Sequence, residues 1–278
     1  MWASTDIKTS VVNLSLPLLL YKLRWIGYLI LTWYGMACFT AVMLLGYDNV
    51  QLHLANLADL AKVRRFAGEF VANVESLDML VCNAGLLGPT LFTKTVDGHE
   101  LVYQTNYLAH FLLTEKLLPI LSSTGKVVNI SSIMHKFGDT VEYTKLNEEE
   151  SYELNGLQAY NRSKLAQVMA SKQLSLEQGT TIVSCHPGNV HSNILQTGPL
   201  AFLENTWVRY LIAFVLKTEV DGAQTPLFVC LADNLVSGAY YRECRLDKNV
   251  NPLVNNVTER CALLQQTRKS VFFTLTAK

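Results

Sequence analysis

A run of 23 residues, Trp25 to Tyr47, carries no charged side chain, and it limits the possible folds of this chain more than any other feature. As a helix it would extend about 34 Å at about 1.5 Å per residue. That length suits a hydrocarbon core about 30 Å thick. Lys22 and Arg24 bound the run on one side and Asp48 on the other, with Trp25, Tyr28 and Tyr47 near its ends, where interfacial aromatics gather. The run predicts a transmembrane helix over 25–47; a core helix or hairpin of a soluble domain is the alternative. It is too long for a signal peptide, and no small-x-small cleavage site follows it. Lys8, Lys22 and Arg24 precede the run and Lys62, Arg64 and Arg65 follow it 15 or more residues away; the nearer positives, Lys22 and Arg24, favour a cytoplasmic N-terminus.

Charge and composition exclude other classes. Lys+Arg and Asp+Glu are equal at 23 each in 278 residues, so the net charge is zero and the basic footprint of a nucleic-acid binder is absent. A chain that is 50% hydrophobic and 17% charged is not a disordered one. Its six cysteines form no CxxC pair, which argues against a zinc knuckle or a redox motif, and no metal site is expected. Cys82 and Cys185 end apolar runs and read as buried free thiols. Four glycosylation-type triplets, at Asn13, Asn129, Asn161 and Asn256, read as chance matches.

From Asn49 onward, short apolar runs alternate with amphipathic stretches. Strands are predicted at 50–54, at 77–82 before Asn83-Ala84-Gly85, at 126–131, at 180–185 before His186-Pro187-Gly188, and at 238–241. Helices are predicted after an N-cap at Asn56, over 99–121, over 156–178 and over 220–232, with a loop at Ser122–Gly125. The expected fold class is α/β, a doubly wound parallel sheet covered on both faces. Residues 1–48 form an N-terminal segment with the membrane helix, and 49–278 form the domain.

The helix predicted from Gly156 carries Tyr160 and Lys164 at i and i+4, one turn apart on one face. An ammonium beside a phenol favours the phenolate and lowers its pKa from about 10. Such a tyrosine can act as a general acid or base. Taken alone, the pair is more often an ordinary surface pair. Ser131 and Ser132, however, close a strand at the sheet edge where ligands of α/β folds gather, and a hydroxyl there can bond a substrate carbonyl.

Asn83-Ala84-Gly85, Asn106, Ser132, Tyr160-x-x-x-Lys164 and Pro187-Gly188 stand in the order and spacing of the short-chain dehydrogenase/reductase family, and residues 49–266 resemble it. AYNRSKL, HPGNV and DGAQT resemble the subgroup of retinol dehydrogenases and the WW-domain-containing oxidoreductase; no WW domain is present. The resemblance implies a Rossmann-like fold and hydride transfer between NAD or NADP and an alcohol or carbonyl. It implies Tyr160 as acid/base, with Lys164 lowering its pKa and holding the nicotinamide ribose. Ser132 rather than Ser131 would orient the carbonyl, and Asn106 would position a water or the lysine. Asn83, Ala84, Gly85, Pro187, Gly188, Val190 and Ser192 would line the cofactor. The apolar stretch 200–216 would be a lid over a lipophilic substrate or a membrane contact, with a core helix as the plain alternative. A membrane location, the endoplasmic reticulum being the candidate, and an oligomer are compatible with this reading.

The sequence departs from the family at its start. The glycine-rich turn TGxxxGxG is missing, and the glycines before Asn49 are Gly27, Gly35 and Gly46. His53 stands where an Asp usually meets the adenine, and reads as a surface residue. The family's first two strands, which lie between the third and the fourth, are expected to be missing, leaving 50–54 an unpaired edge unless residues 1–47 rebuild that region. Two functions follow: a membrane-anchored NAD(P)-dependent oxidoreductase, or a non-enzymatic relative that has lost cofactor binding and serves in interactions.

Overall fold

A computed structural model of the chain describes residues 9–14, 29–34, 50–152, 156–190 and 216–273. Its strands are β1 (Thr9–Leu14), β2 (Leu29–Tyr34), β3 (Val50–Ala55), β4 (Leu77–Cys82), β5 (Leu121–Ile130), β6 (Thr181–His186), β7 (Tyr240–Arg242) and β8 (Arg245–Leu246). They form one sheet in the order β3-β1-β2-β4-β5-β6-β7-β8. The pairs from β2 through β7 are parallel, whereas β1 runs antiparallel to both β2 and β3, and β8 to β7.

The first two strands correct the expected transmembrane helix. Residues 29–34, in the middle of the charge-free run, pair with β1 on one side and with β4 on the other, where Leu31 stands opposite Val81. The physical reason is that LILTWY, rich in aromatic and branched residues, suits a strand covered on both faces as well as a bilayer helix. Among the described residues no helix is long and apolar enough to cross a membrane. The rest of the run, 25–28 and 35–47, lies outside the described residues. β1 and β2 fill the two positions between β3 and β4, so β3 gains β1 as a neighbour instead of standing unpaired, and the sheet crosses the boundary expected at 48/49.

The helices are α1 (Leu60–Asn73), α2 (Leu101–Tyr103), α3 (Ala109–Leu117), α4 (Tyr143–Asn147), α5 (Leu157–Gln178), α6 (Glu219–Leu231) and α7 (Val257–Phe273). Asp59, not Asn56, caps α1: its Oδ1 accepts the Lys62 N–H at 3.1 Å, while Asn56 Oδ1 accepts from Ala58 in the turn before. Glu100 caps α2, accepting the N–H groups of Val102 and Tyr103 at 2.8 and 2.6 Å. The stretch expected as one long helix is interrupted by a π-helical turn at Gln104–Leu108. The expected loop at Ser122–Gly125 is part of β5.

Alternate strand residues face opposite sides, as the period of two requires. Leu80, Cys82, Val127 and Ile182 join the larger core with α1, α3, α5 and α7. Met79, Val81, Val128, Ile130, Val183 and Cys185 face the other way with Val229 of α6 and Tyr241. Both sides of the central strands are thereby removed from water, which explains why their sequences are apolar runs rather than alternating patterns. Cys82 and Cys185 are buried free thiols. Asn129 and Asn161 are buried and hydrogen-bonded to Ser171 and Gln158, which leaves no room for a glycan on either.

Candidate active site

The carboxyl ends of β4, β5 and β6 and the first turns of α5 bring the sequence-predicted residues together. Gly156, in the left-handed region at φ +89°, starts α5. One turn on, Tyr160 and Lys164 are both buried, with the Lys164 Nζ 5.6 Å from the Tyr160 ring centroid. Leu86, Leu87, Val102 and Ala159 pack around Tyr160.

The two serines divide their work. Ser131 Oγ donates to the Lys164 carbonyl at 3.0 Å, and its N–H bonds the Cys185 carbonyl at 2.8 Å, so it ties β5 to α5 and β6. Ser132 Oγ accepts from the Met134 N–H at 3.2 Å and lies near enough to the Tyr160 hydroxyl to lower its pKa. Ser132 is therefore the serine on the Tyr160 side of the strand end.

Electrostatics differ from the sequence expectation. Burial raises the Tyr160 pKa above its ordinary value of 10.0, and the Ser132 hydroxyl only partly offsets this. The expected acidification by Lys164 is not what the geometry gives, because the amine points elsewhere. Lys164 Nζ donates to the Ile130 carbonyl at 2.9 Å and to Gln167 Oε1 at 3.0 Å. Burial in turn pushes Lys164 down to about 7, where its charge is set by small changes in surroundings.

Asn106 sits in the π-helical turn, fully buried. Its side chain accepts the Leu86 N–H at 2.9 Å and donates to the Leu86 carbonyl at 2.9 Å and to Ser163 Oγ at 3.0 Å. Its amide clamps the loop after β4. Its backbone carbonyl accepts from Gln167 Nε2 at 2.8 Å, so it reaches Lys164 through Gln167, a residue the sequence reading did not single out.

Asn83, Ala84 and Gly85 follow β4 directly. A Cβ on Gly85 would stand 3.4 Å from both Asn106 Oδ1 and Lys164 Nζ, so the absent side chain keeps this floor open beside the lysine. Pro187, Gly188 and Val190 follow β6, with Gly188 at φ +98° and its Cβ position filled by Lys217. Ser192 and residues 200–215 lie outside the described residues. His53 is half-buried against Phe66, at 5.7 Å between ring centroids. Among the described residues, these groups fit the nicotinamide half of a dinucleotide: a small-residue floor, a buried amine and a hydroxyl pair.

A cavity of about 230 Å³ is lined by Ile133, His186, Gly188, Asn189, Lys217, Arg242 and Glu243. His186 is buried with no partner on Nδ1, and burial pushes its pKa down to about 4. Lys217 pairs with Glu243 at 2.7 Å and Arg242 with Asp247 at 3.3 Å, so the polar wall is internally balanced. The sequence reading named Gly188 here but none of these charged residues.

Comparison with known proteins agrees with this geometry. The family model described as short chain dehydrogenase matches residues 45–144. Retinol dehydrogenase 11 of Mus musculus is 36% identical over 72% of this chain and 63% of its own length. Retinol dehydrogenase 12 of Homo sapiens is 39% identical over 71% and 62%. Dehydrogenase/reductase SDR family member 13 of Bos taurus is 32% identical over 81% and 60%. The chain thus spans about six tenths of the length of these relatives. A crystal structure of a Mycobacterium paratuberculosis protein, 25% identical, superposes with a TM-score of 0.58 over 78% of this chain and 74% of that one. With the motifs, the parallel sheet and the Ser132–Tyr160–Lys164 cluster in agreement, the chain belongs to the short-chain dehydrogenase family and resembles its retinol dehydrogenases.

Proposed function

We propose that this chain is an NAD(P)-dependent oxidoreductase that interconverts an alcohol and its carbonyl compound, with a lipophilic substrate of the kind the relatives' name describes. The observation that carries this reading is the buried cluster of Ser132, Tyr160 and Lys164 on the sheet edge. A bound nicotinamide supplies or accepts the hydride. In the reduction direction the Ser132 hydroxyl donates a hydrogen bond to the substrate oxygen and polarises the carbonyl. The Tyr160 hydroxyl donates its proton to the same oxygen as the alcohol forms. The phenolate left behind is stabilised by the Lys164 ammonium, which holds Gln167 and Ile130 with two of its three N–H groups. Oxidation runs the same proton path backwards. Asn83, Ala84, Gly85, Pro187, Gly188 and Val190 would hold the nicotinamide ring, Ser192 its amide, and the cavity between Ile133 and His186 would take the polar end of the substrate.

A second reading, an interaction protein that has lost cofactor binding, is favoured by one observation, the absent glycine-rich turn. That turn would bond a pyrophosphate through backbone N–H groups at a helix N-terminus. Bonds to charged groups are worth about 1.5–3 kcal/mol each. Losing two would weaken binding about 10²- to 10⁴-fold. We expect cofactor binding in the millimolar range, and the assay must reach that concentration. Turnover of NADH or NADPH with retinaldehyde, lost in Tyr160→Phe, supports the first reading; no turnover with either at saturating concentration leaves the second. The charge-free run is the ground for a membrane location, and the strand at 29–34 removes six of its residues from that role.

A further inference from the structure

Among the described residues, Lys164 is a buried amine without a counter-charge. The titratable groups facing it are Cys82 on β4, Cys185 on β6, His110 on α3 and Tyr160 on its own helix. Burial holds all four in their neutral forms near neutral pH: Cys82 is pushed up to about 12, His110 down to about 3, and Cys185 and Tyr160 upward. What fixes the amine is therefore hydrogen bonding alone. Its two acceptors are the Ile130 carbonyl, rigid in the sheet, and Gln167 Oε1.

The Gln167 amide is itself held from the far side. Its Nε2 donates to the Asn106 carbonyl at 2.8 Å, a carbonyl that His110 Nδ1 also meets at 3.0 Å. Because Nε2 must donate to Asn106, Oε1 must face Lys164, so one orientation of the amide satisfies both bonds. The backbone of Gln167 is pinned as well: Ser171 Oγ donates to its carbonyl at 2.7 Å, and Asn129 Nδ2 on β5 donates to Ser171 Oγ at 3.0 Å. The chain Asn106 carbonyl, Gln167 amide, Lys164 amine thus runs without a break from the π-helical turn to the middle of the site. It also puts a neutral acceptor, rather than a carboxylate, next to the lysine.

We propose that Gln167 is the positioning residue of this site: its amide bridges the Asn106 carbonyl and the Lys164 amine and sets where that amine rests. It touches neither substrate nor cofactor, and acts through Lys164. Its geometry stands independently of the activity; its catalytic meaning rests on the oxidoreductase reading.

Two variants separate positioning from packing. Gln167→Met keeps the volume and removes both hydrogen bonds. Gln167→Glu keeps the shape, loses the bond to Asn106 and places a carboxylate against Lys164. An opposite charge at this distance raises a lysine pKa by about one to three pH units. Melting temperature against pH, read between pH 6 and 10, needs no turnover. In Gln167→Glu the midpoint of its rise is expected to move upward by about one to three pH units, and in Gln167→Met downward. Turnover of NADPH with retinaldehyde at pH 7 is expected to fall about 10- to 100-fold in Gln167→Met, the loss of one hydrogen bond to a charged group. Superimposable pH midpoints in all three proteins would overturn the proposal and make Gln167 a packing residue, even if both variants melt lower. Absence of turnover in the unaltered chain would instead sink the oxidoreductase reading, and the melting midpoints would still decide the role of Gln167.

Discussion

The side chain of Asn106 closes two hydrogen bonds onto the backbone of a single residue, Leu86, one to its N–H and one to its carbonyl. Both partners are buried, and the pair fixes the loop that carries Asn83-Ala84-Gly85 against the π-helical turn. Asn106→Ala leaves two buried backbone groups unpaired, each worth about 1–3 kcal/mol. The expected loss is about 2–6 kcal/mol, read by urea denaturation. A loss below about 1 kcal/mol would show that the loop holds itself.

Tyr160→Phe separates chemistry from packing. The phenyl ring stays among Leu86, Leu87, Val102 and Ala159, and only the hydroxyl near Ser132 goes. Turnover is expected to fall about 10²- to 10⁴-fold, the contribution of a general acid or base. Stability should change by less than about 1.5 kcal/mol, the weight of one hydrogen bond. Equal turnover in the variant would remove Tyr160 from the mechanism.

Lys164 makes stability depend on pH in a stated direction. Its pKa is about 7 in the fold against an ordinary 10.5. Between those values the unfolded chain holds the proton that the folded chain has released, so folding stability rises with pH. The destabilisation by the buried ammonium is complete below pH 7 and is relieved progressively above it. Relative to Lys164→Met, the unaltered chain should gain at most about 1.4 kcal/mol per pH unit on going from pH 7 to 10. A difference that is flat across this window would mean that Lys164 is not buried as the structure shows.

The strand at 29–34 has a backbone signature. Each of its edges is paired, one to β1 and one to β4. Amide exchange at Leu29–Tyr34 should be as slow as at Leu77–Cys82, because both would open only with the sheet. Rapid exchange at 29–34 beside slow exchange at 77–82 would remove β2 from the core.

Much of this was legible in the residues. Tyr160, Lys164 and Ser132 stand out because proton transfer needs those side chains at a strand end and a helix face, and the structure brings them together. The runs at 77–82 and 180–185 became buried parallel strands because Leu77, Met79–Cys82, Ile182, Val183 and Cys185 outweigh their few polar residues. The charge-free run misled because hydropathy measures the absence of water, not its replacement by lipid or by a protein core. β1 was not legible, since TSVVNL carries no signal of its antiparallel place between two distant strands. Gln167 was not legible either: a glutamine three residues after a lysine is unremarkable until the turn at Gln104–Leu108 aims the Asn106 carbonyl at it. The melting of local pKa logic at Tyr160 has the same origin, since spacing places the lysine near but does not say which acceptors it will choose.

Hydride transfer from the nicotinamide to a carbonyl carbon, with the proton supplied by Tyr160, can be followed in one experiment. The most direct measurement supplies NADPH carrying deuterium at the transferred position of C4, at millimolar concentration, together with retinaldehyde, and reads the recovered alcohol by mass spectrometry. One deuterium is expected in the alcohol formed by the unaltered chain and none above background with Tyr160→Phe. Equal incorporation by the two proteins, or none by either, would contradict this mechanism.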